Sequence, residues 1–488
     1  MRIPVTLVAA ALAAVFAALP AEATDVVVRG SVVGEYLYDT GQDGSVFDGR
    51  VEFDAESGPL LIGATYRAYQ LSDPDYNPAQ KDIPASEVKH RYAEFRGESL
   101  TARAGHFFST FGKGLALRSY EEIDLEHDTA LDGILVRYEP GPVGITALSG
   151  VLREPLSESR SRGHAVRGIE VTASPWDWAS LGASAVERAW KDEDEDVVLP
   201  ENQTRGEDVV LDGAFDLRLG PASLSAEYAR RDGENPVTGL ELDEGRAMYA
   251  SGTFDLGWVT LFGEFKDYDR FAHRLVNPPT CVRDHAWTLM NRATYEVDLD
   301  DERGFLGEGT VPLGEKLSVM GGASEARDHD GGLSHWEMYG EVSHSFFESL
   351  GGAFAGSWSR EYLLGKFTEH ASAAAQFDLA LPAGQTVEVV LEAGRTDDVT
   401  GLDWEDTIAS LTWYPGADLT VFATFEATTS EIETRDAWLI GEVKKRVSDQ
   451  VEVALAVGTE RGGKKCAGGV CRYEPEFEGV RLRLNSYF

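Results

Sequence analysis

The chain has 488 residues and carries 83 acidic against 44 basic side chains, a formal charge of −39. Acidity on this scale excludes duplex nucleic acid as a partner, because such binding is driven by basic groups that displace counterions from phosphate. With 51 glycines, 17 tyrosines, 22 phenylalanines and 10 tryptophans, and no linker or composition shift to divide it, the chain reads as one β-rich unit.

Residues 1–23 open with Arg2, continue through the apolar run Val5 to Leu19 and finish at Ala21-Glu22-Ala23. This is the pattern of a cleaved secretory leader. The run is short for a spanning helix, which needs about 20 apolar residues. The mature chain is then expected at 24–488. Nothing beyond the leader is apolar for long enough to cross a bilayer as a helix, so membrane residence would require a closed sheet.

From Asp25 onward the chain alternates apolar and polar residues in segments of about ten, the period of a transmembrane strand. Val387, Val389, Leu391 and Ala393 share one face; Leu419, Val421, Ala423, Phe425 and Ala427 share another, opposed by Thr420, Thr424, Glu426 and Thr428. Val451, Val453, Leu455 and Val457 repeat the pattern. Tight turns fall at Glu56 to Pro59, Pro140 to Pro142, Leu219 to Pro221, Leu256-Gly257, Pro312 to Gly314, Pro382 to Gly384, Pro415-Gly416 and Ser448-Asp449. Between them lie long polar stretches near 72–87, 108–130, 153–163, 191–206, 232–243, 271–303 and 461–476. Short turns alternating with long loops separate a transmembrane barrel from a soluble sandwich. The pattern predicts an all-β fold, a single closed antiparallel barrel of about 24 strands (22 to 26), with both termini on the periplasmic side.

One long stretch is not a free loop. Gly105 to Gly133 contains Phe107, Phe108, Phe111, Leu115 and Leu117, which need burial. Its charges divide into a basic start, Lys113 and Arg118 with Arg103 just upstream, and an acidic end, Glu121, Glu122, Asp124, Glu126 and Asp128. Folded into the lumen, such a segment would set a transverse field at a constriction and select ions. Packed on the wall, it would instead stiffen the mouth. Further on, the run Asp192 to Asp196 reads as a solvated loop, with divalent-cation binding beside lipopolysaccharide as the sharper reading. Trp287 to Val297 could be a strand, but it would break the parity of the strand count, so it is placed in an external loop or folded into the mouth.

Cys466 and Cys471 sit close together in a Gly-rich hydrophilic segment, and a loop disulfide is expected in an oxidising compartment. Cys281 is left as a free thiol. No histidine lies near the pair, so no metal site is expected, and no C-x-x-C-H haem signature occurs. Neither G-x-S-x-G nor H-E-x-x-H is present. No catalytic residue and no cofactor is expected.

The final residues Phe477 to Phe488 place Val480, Leu482, Leu484 and Phe488 on one parity and Arg481, Arg483, Asn485 and Tyr487 on the other. This strand ending on Phe488 resembles the closing strand by which Gram-negative outer-membrane barrels are recognised and inserted. Phe107-Phe108-Ser109-Thr110-Phe111-Gly112-Lys113-Gly114-Leu115, with Ser119-Tyr120-Glu121 and Leu131-Asp132-Gly133, is similar to a block of a family of uncharacterised bacterial outer-membrane barrels. Asn277 to Thr280, His285, Trp287 to Leu289 and Asn291-Arg292 resemble a second block of that family. The resemblance implies the bacterial outer membrane, with lipid, lipopolysaccharide and the barrel-assembly machinery as partners, and carries no activity. Two functions follow from the residues. One is a porin-like channel for small solutes or ions, with the lumen narrowed by 105–133. The other is a barrel scaffold or sleeve that docks a periplasmic or extracellular protein, as in an export or electron-transfer complex.

Overall fold

The computed structural model describes residues 26–72, 85–123, 125–152, 165–191, 205–233, 244–271, 278–292, 295, 297–363, 366–399, 401–467 and 470–488. The expected leader, Asp124, Asn277 and the run Asp192 to Asp196 lie outside them. No helix among the described residues is long and apolar enough to cross a membrane.

Twenty-four strands form one antiparallel sheet, a 24-stranded barrel in which chain neighbours pair. The strands run from 8 residues in Leu100–Phe107 to 16 in Lys366–Leu381. The first strand, Val27–Asp39, pairs with the last, Phe477–Tyr487, and closes the wall. Phe488 extends that seam: its N–H donates to the Gly30 carbonyl at 3.0 Å, and the Gly30 N–H donates to the Phe488 carbonyl at 2.9 Å. A Cβ at Gly30 would come within 2.5 Å of the Phe488 ring, so the seam requires glycine there.

The alternation sorts side chains as the sequence predicts. Leu391, Phe425, Leu455, Val457, Val480, Leu482 and Leu484 are exposed on the outer face. Alternate positions face the lumen, where Glu426 meets Arg461 and Arg292, and Arg481 meets Glu460. Connections at the termini end are short. Gly58, Gly220, Gly257, Gly314 and Gly384 take positive φ there, between 55° and 80°, a conformation glycine adopts at no steric cost.

At the opposite, loop end, two long connections turn into the barrel. The wall strands Leu100–Phe107 and Leu131–Tyr138 include both ends of the predicted 105–133 segment, so the inserted part is 108–130. The described residues between Trp287 and Val297 form no strand and include the short 3₁₀ turn Leu289–Arg292, whose Leu289 and Met290 are buried. The parity of the strand count is preserved.

Candidate functional site

The inner wall carries an apolar strip where a water-filled lumen would call for polar side chains. Val166, Val186, Val210, Ala229 and Ala247 lie on the inward parity of five successive strands and are fully buried. Phe107, Phe111, Leu115 and Leu117 cover them and are themselves 0–1% exposed. Burying a side chain of this size contributes about 1.5–3 kcal/mol. Phe108 is half-buried, edge-on to the His90 ring at 5.6 Å between centroids. The five apolar residues that made a free loop implausible thus line the barrel interior.

Hydrogen bonds fix the segment at its basic start. Gly112 and Gly114 have φ of 54° and 100°, and the turn closes with the Gly114 N–H on the Phe111 carbonyl at 2.9 Å. Such a turn aims successive N–H groups at one point, a ready anion site. The wall supplies the acceptor: Glu227 accepts from the N–H groups of Lys113 and of Leu115, the latter at 3.0 Å. Glu170 accepts from the Gly112 N–H at 3.0 Å, and Lys113 Nζ reaches Asp216 at 2.8 Å. Arg118 stacks on Tyr120 within the segment.

The acidic end meets a basic sector of wall. Arg50 donates both terminal nitrogens to Glu121, at 2.7 and 2.9 Å, and Lys89 Nζ adds a third contact at 2.7 Å. Arg67 reaches Glu126 at 3.2 Å, and His90 Nε2 lies 2.9 Å from Asp128. Burial opposes ionisation of Asp128, but the His90 contact, the Ala130 N–H and Lys89 outweigh it and hold its carboxyl down at about 2. For Glu121, burial is likewise outweighed by Arg50 and Lys89, and the pKa is lowered. Glu122 is half-buried, and its backbone pairs with His127. Arg103 stands apart on a wall strand, paired with Glu94 and stacked over Tyr92 at 3.8 Å.

Each half of the segment therefore faces wall of opposite sign, and Lys113, Glu121, Glu126 and Asp128 are compensated locally rather than opposing one another across open lumen. His90, Glu121 and Asp128 bring three ligand atoms within 4.8 Å of one another. Lys89 Nζ stands 2.7 Å from Glu121 and 3.5 Å from Asp128, so a side-chain ammonium already supplies the positive charge there.

The second inserted connection docks by the same device. Glu392 accepts from the N–H groups of Thr288 and Leu289, at 3.2 and 2.8 Å, at the start of the 3₁₀ turn. His285 Nε2 lies 2.7 Å from Glu337, and Arg292 pairs with Asp406 at 3.2 Å and with Glu426. Trp287 is buried against Tyr339 and Met290. Arg283 pairs with Glu308. Cys281 is a buried free thiol. Cys466 and Cys471 are direct register partners in the hairpin Gly463–Ala467/Val470–Glu474.

The wall carboxylates that receive these segments, Glu170, Glu227, Glu308, Glu337 and Asp406, were not evident from sequence. Each is one acidic residue on the polar parity of its strand, which is the only local signal.

A family described as "Family of unknown function (DUF6029)" matches residues 50–326 and 440–488, which take in both inserted connections and the closing strand. No curated protein matches the chain. Among solved structures, an E. coli P pilus tip assembly intermediate containing the PapC usher superposes with a TM-score of 0.55 at 12% identity, over 96% of this chain and 62% of that one. The P pilus usher (PapC) translocation pore gives 0.49 at 12% identity, over 95% and 99% of the two chains. The siderophore receptor PirA from Pseudomonas aeruginosa gives 0.49 at 10%, over 94% and 80%. At 12% identity, the likeness to the pilus assembly intermediate is one of fold alone.

Proposed function

The chain belongs to this family of unknown function, and we propose that it is an outer-membrane channel that passes small solutes or ions through a lumen narrowed by the two inserted connections. Membrane residence is supported by the apolar outer face of a closed barrel, which leaves no unpaired sheet edge in lipid. On this reading the termini lie on the periplasmic side and the barrel-assembly machinery is the route of insertion.

One observation carries the channel reading: two connections fold inside and are held by wall carboxylates, at Glu227 and at Glu392. A 24-stranded wall encloses more space than its own side chains fill. Segments docked on the inside of that wall reduce the bore and present Glu122 and the paired groups around it to the solute.

Purified barrel in planar bilayers should give discrete conductance steps. Replacing Glu227 and Glu392 together with alanine should enlarge or destabilise those steps, because both anchors are lost. Absence of conductance from parent and variant alike would remove the channel reading in favour of the sleeve, whose test is co-purification of a periplasmic or extracellular protein.

A further inference from the structure

Two carboxyls meet under the first inserted connection. In the register of Arg205–Leu219 with Ala222–Gly233, Asp212 stands opposite Ala229 and Glu227 opposite Ala214, so the two acids are diagonal neighbours on the inward face. Their carboxyl groups are in hydrogen-bonding contact, and both side chains are buried. Asp212 Oδ1 accepts from the Ser184 hydroxyl at 3.2 Å, whereas its Oδ2 is buried and receives no N–H or hydroxyl donor. Ionised carboxylates only accept, so two of them cannot hydrogen-bond without a proton between them. One proton on the pair completes the set: Oδ2 gains its partner, and Glu227 still accepts from the Lys113 and Leu115 N–H groups.

The neighbouring elements bring the pair no compensating cation. Lys113 Nζ turns to Asp216 at 2.8 Å, and on the loop side Arg188 is bound to Asp208. Arg231 donates to the Arg270 carbonyl at 2.7 Å. Glu170, on Ala165–Trp176, adds a third carboxyl, and Arg137 faces that one. Tyr249, the register partner of Glu227, donates to Glu264, and Tyr268 donates to the Pro279 carbonyl at 2.9 Å. Among the described residues, no basic side chain makes an ion pair with Asp212 or Glu227. Like charges buried side by side without a cation do not both ionise.

The turn lies directly on the pair. A Cβ at Gly112 would come within 2.7–2.9 Å of the Glu227 carboxyl, which leaves no room for water between them. Lifting the turn admits lumen water to both carboxyls, and each then ionises at its ordinary value of about 4. The docked pair therefore keeps a proton that the released pair gives up. By linkage, docking strengthens as pH falls and weakens as pH rises, by about tenfold in the docked-to-released ratio per pH unit while only the docked pair is protonated.

We propose that Asp212 and Glu227 form a proton-binding latch: a single proton shared by their carboxyls holds the first inserted connection on the wall, and loss of that proton frees the connection and widens the bore. The widening rests on the channel reading above, and the latch stands without it.

The test uses the full-length barrel in detergent micelles between about pH 5 and about pH 10, a span that covers the range of buried carboxyls. Amide exchange of Phe111 to Leu117 is referenced at each pH to the amides of Ala222–Gly233, which share the same base catalysis of exchange. The released fraction should rise about tenfold per pH unit until the docked pair itself is ionised. Asp212→Asn puts a carboxamide N–H beside Glu227 in place of the shared proton; it should keep the connection docked and flatten the slope. Infrared difference spectra, parent minus Asp212→Asn, should show a carboxylic-acid C=O stretch that disappears through the same pH window. A flat slope in the parent, an undiminished slope in Asp212→Asn, or absence of the carboxylic-acid band would overturn the proposal. If Asp212→Asn does not fold, the parent's slope and the titration of its own band decide alone. Conductance of the same protein separates the two readings: an exchange slope without conductance at any pH removes the channel and keeps the latch, whereas conductance with pH-independent exchange removes the latch and keeps the channel.

Discussion

Replacing Glu227 with alanine should release the first inserted connection while the barrel wall stays folded. Glu227 is 1% exposed and accepts from the N–H groups of Lys113 and Leu115, in a turn whose far side is held by Glu170. A buried donor left without an acceptor costs about 1–3 kcal/mol. With two donors affected and lumen water partly replacing the carboxylate, the loss should be about 2–4 kcal/mol. The sheet hydrogen bonds of Ala222–Gly233 with its neighbours do not involve this side chain, so the cost falls on local opening of the segment. At tenfold per 1.4 kcal/mol, the open population rises by about 30- to 700-fold. Amide exchange of Phe111 to Leu117, referenced to the amides of Ala222–Gly233, measures this directly. Glu227→Gln, which keeps one acceptor oxygen, should fall between parent and Glu227→Ala. Unchanged protection in 111–117, or an equal loss in the wall strands, would refute the reasoning.

Leu455→Arg places a charge on the outer face near mid-strand and should cost about 2–4 kcal/mol in a bilayer, whereas Thr424→Arg, on the lumen side, should cost far less; folding titrations in vesicles that reverse this order would contradict the assigned facing. Because Cys466 and Cys471 are cross-strand partners, and paired positions in an antiparallel ladder lie about 4.5–5.5 Å apart at Cα, within disulfide range, peptide mapping without reduction should recover them linked, and alkylation of both in intact cells would count against the bond. Neutralising Glu121, Glu122 and Asp124 together should move reversal potentials toward anions, since Arg50 and Lys89 lose their counter-charge; identical potentials would separate the segment from permeation. At the loop end, the His329 pKa is raised above 6.5 by its hydrogen bond to Asp267, against partial burial, with Asp301 adding to the shift. The sign follows: this clamp is fully present below the unfolded value of 6.5 and is lost as pH rises through the higher folded value. Protease resistance of the 328–332 turn should therefore fall on the alkaline side of 6.5, and His329→Gln should abolish the trend.

The wall was legible in the sequence because its information is local. Outward positions such as Val453, Leu455 and Val457 alternate with lumenal neighbours, and glycine turns such as Gly220 and Gly257 punctuate the strands, so period and punctuation together give strand number and facing. The burial demand of Phe107, Phe111, Leu115 and Leu117 was also written locally, but it left open whether the segment narrows the lumen or packs on the wall at the mouth. What the sequence could not say is what receives it. The Gly112 N–H meets Glu170 across a separation of 58 residues, Leu115 meets Glu227 across 112, and Arg292 meets Glu426 across 134. Those pairings exist only once the sheet has curled and closed, because curvature, and no local pattern, decides which inward carboxylate stands opposite which loop. For the same reason the segregated charges of residues 113–128 read from sequence as a field across a pore, while in the closed barrel the wall answers them with Asp216 on one side and Arg50, Arg67 and Lys89 on the other.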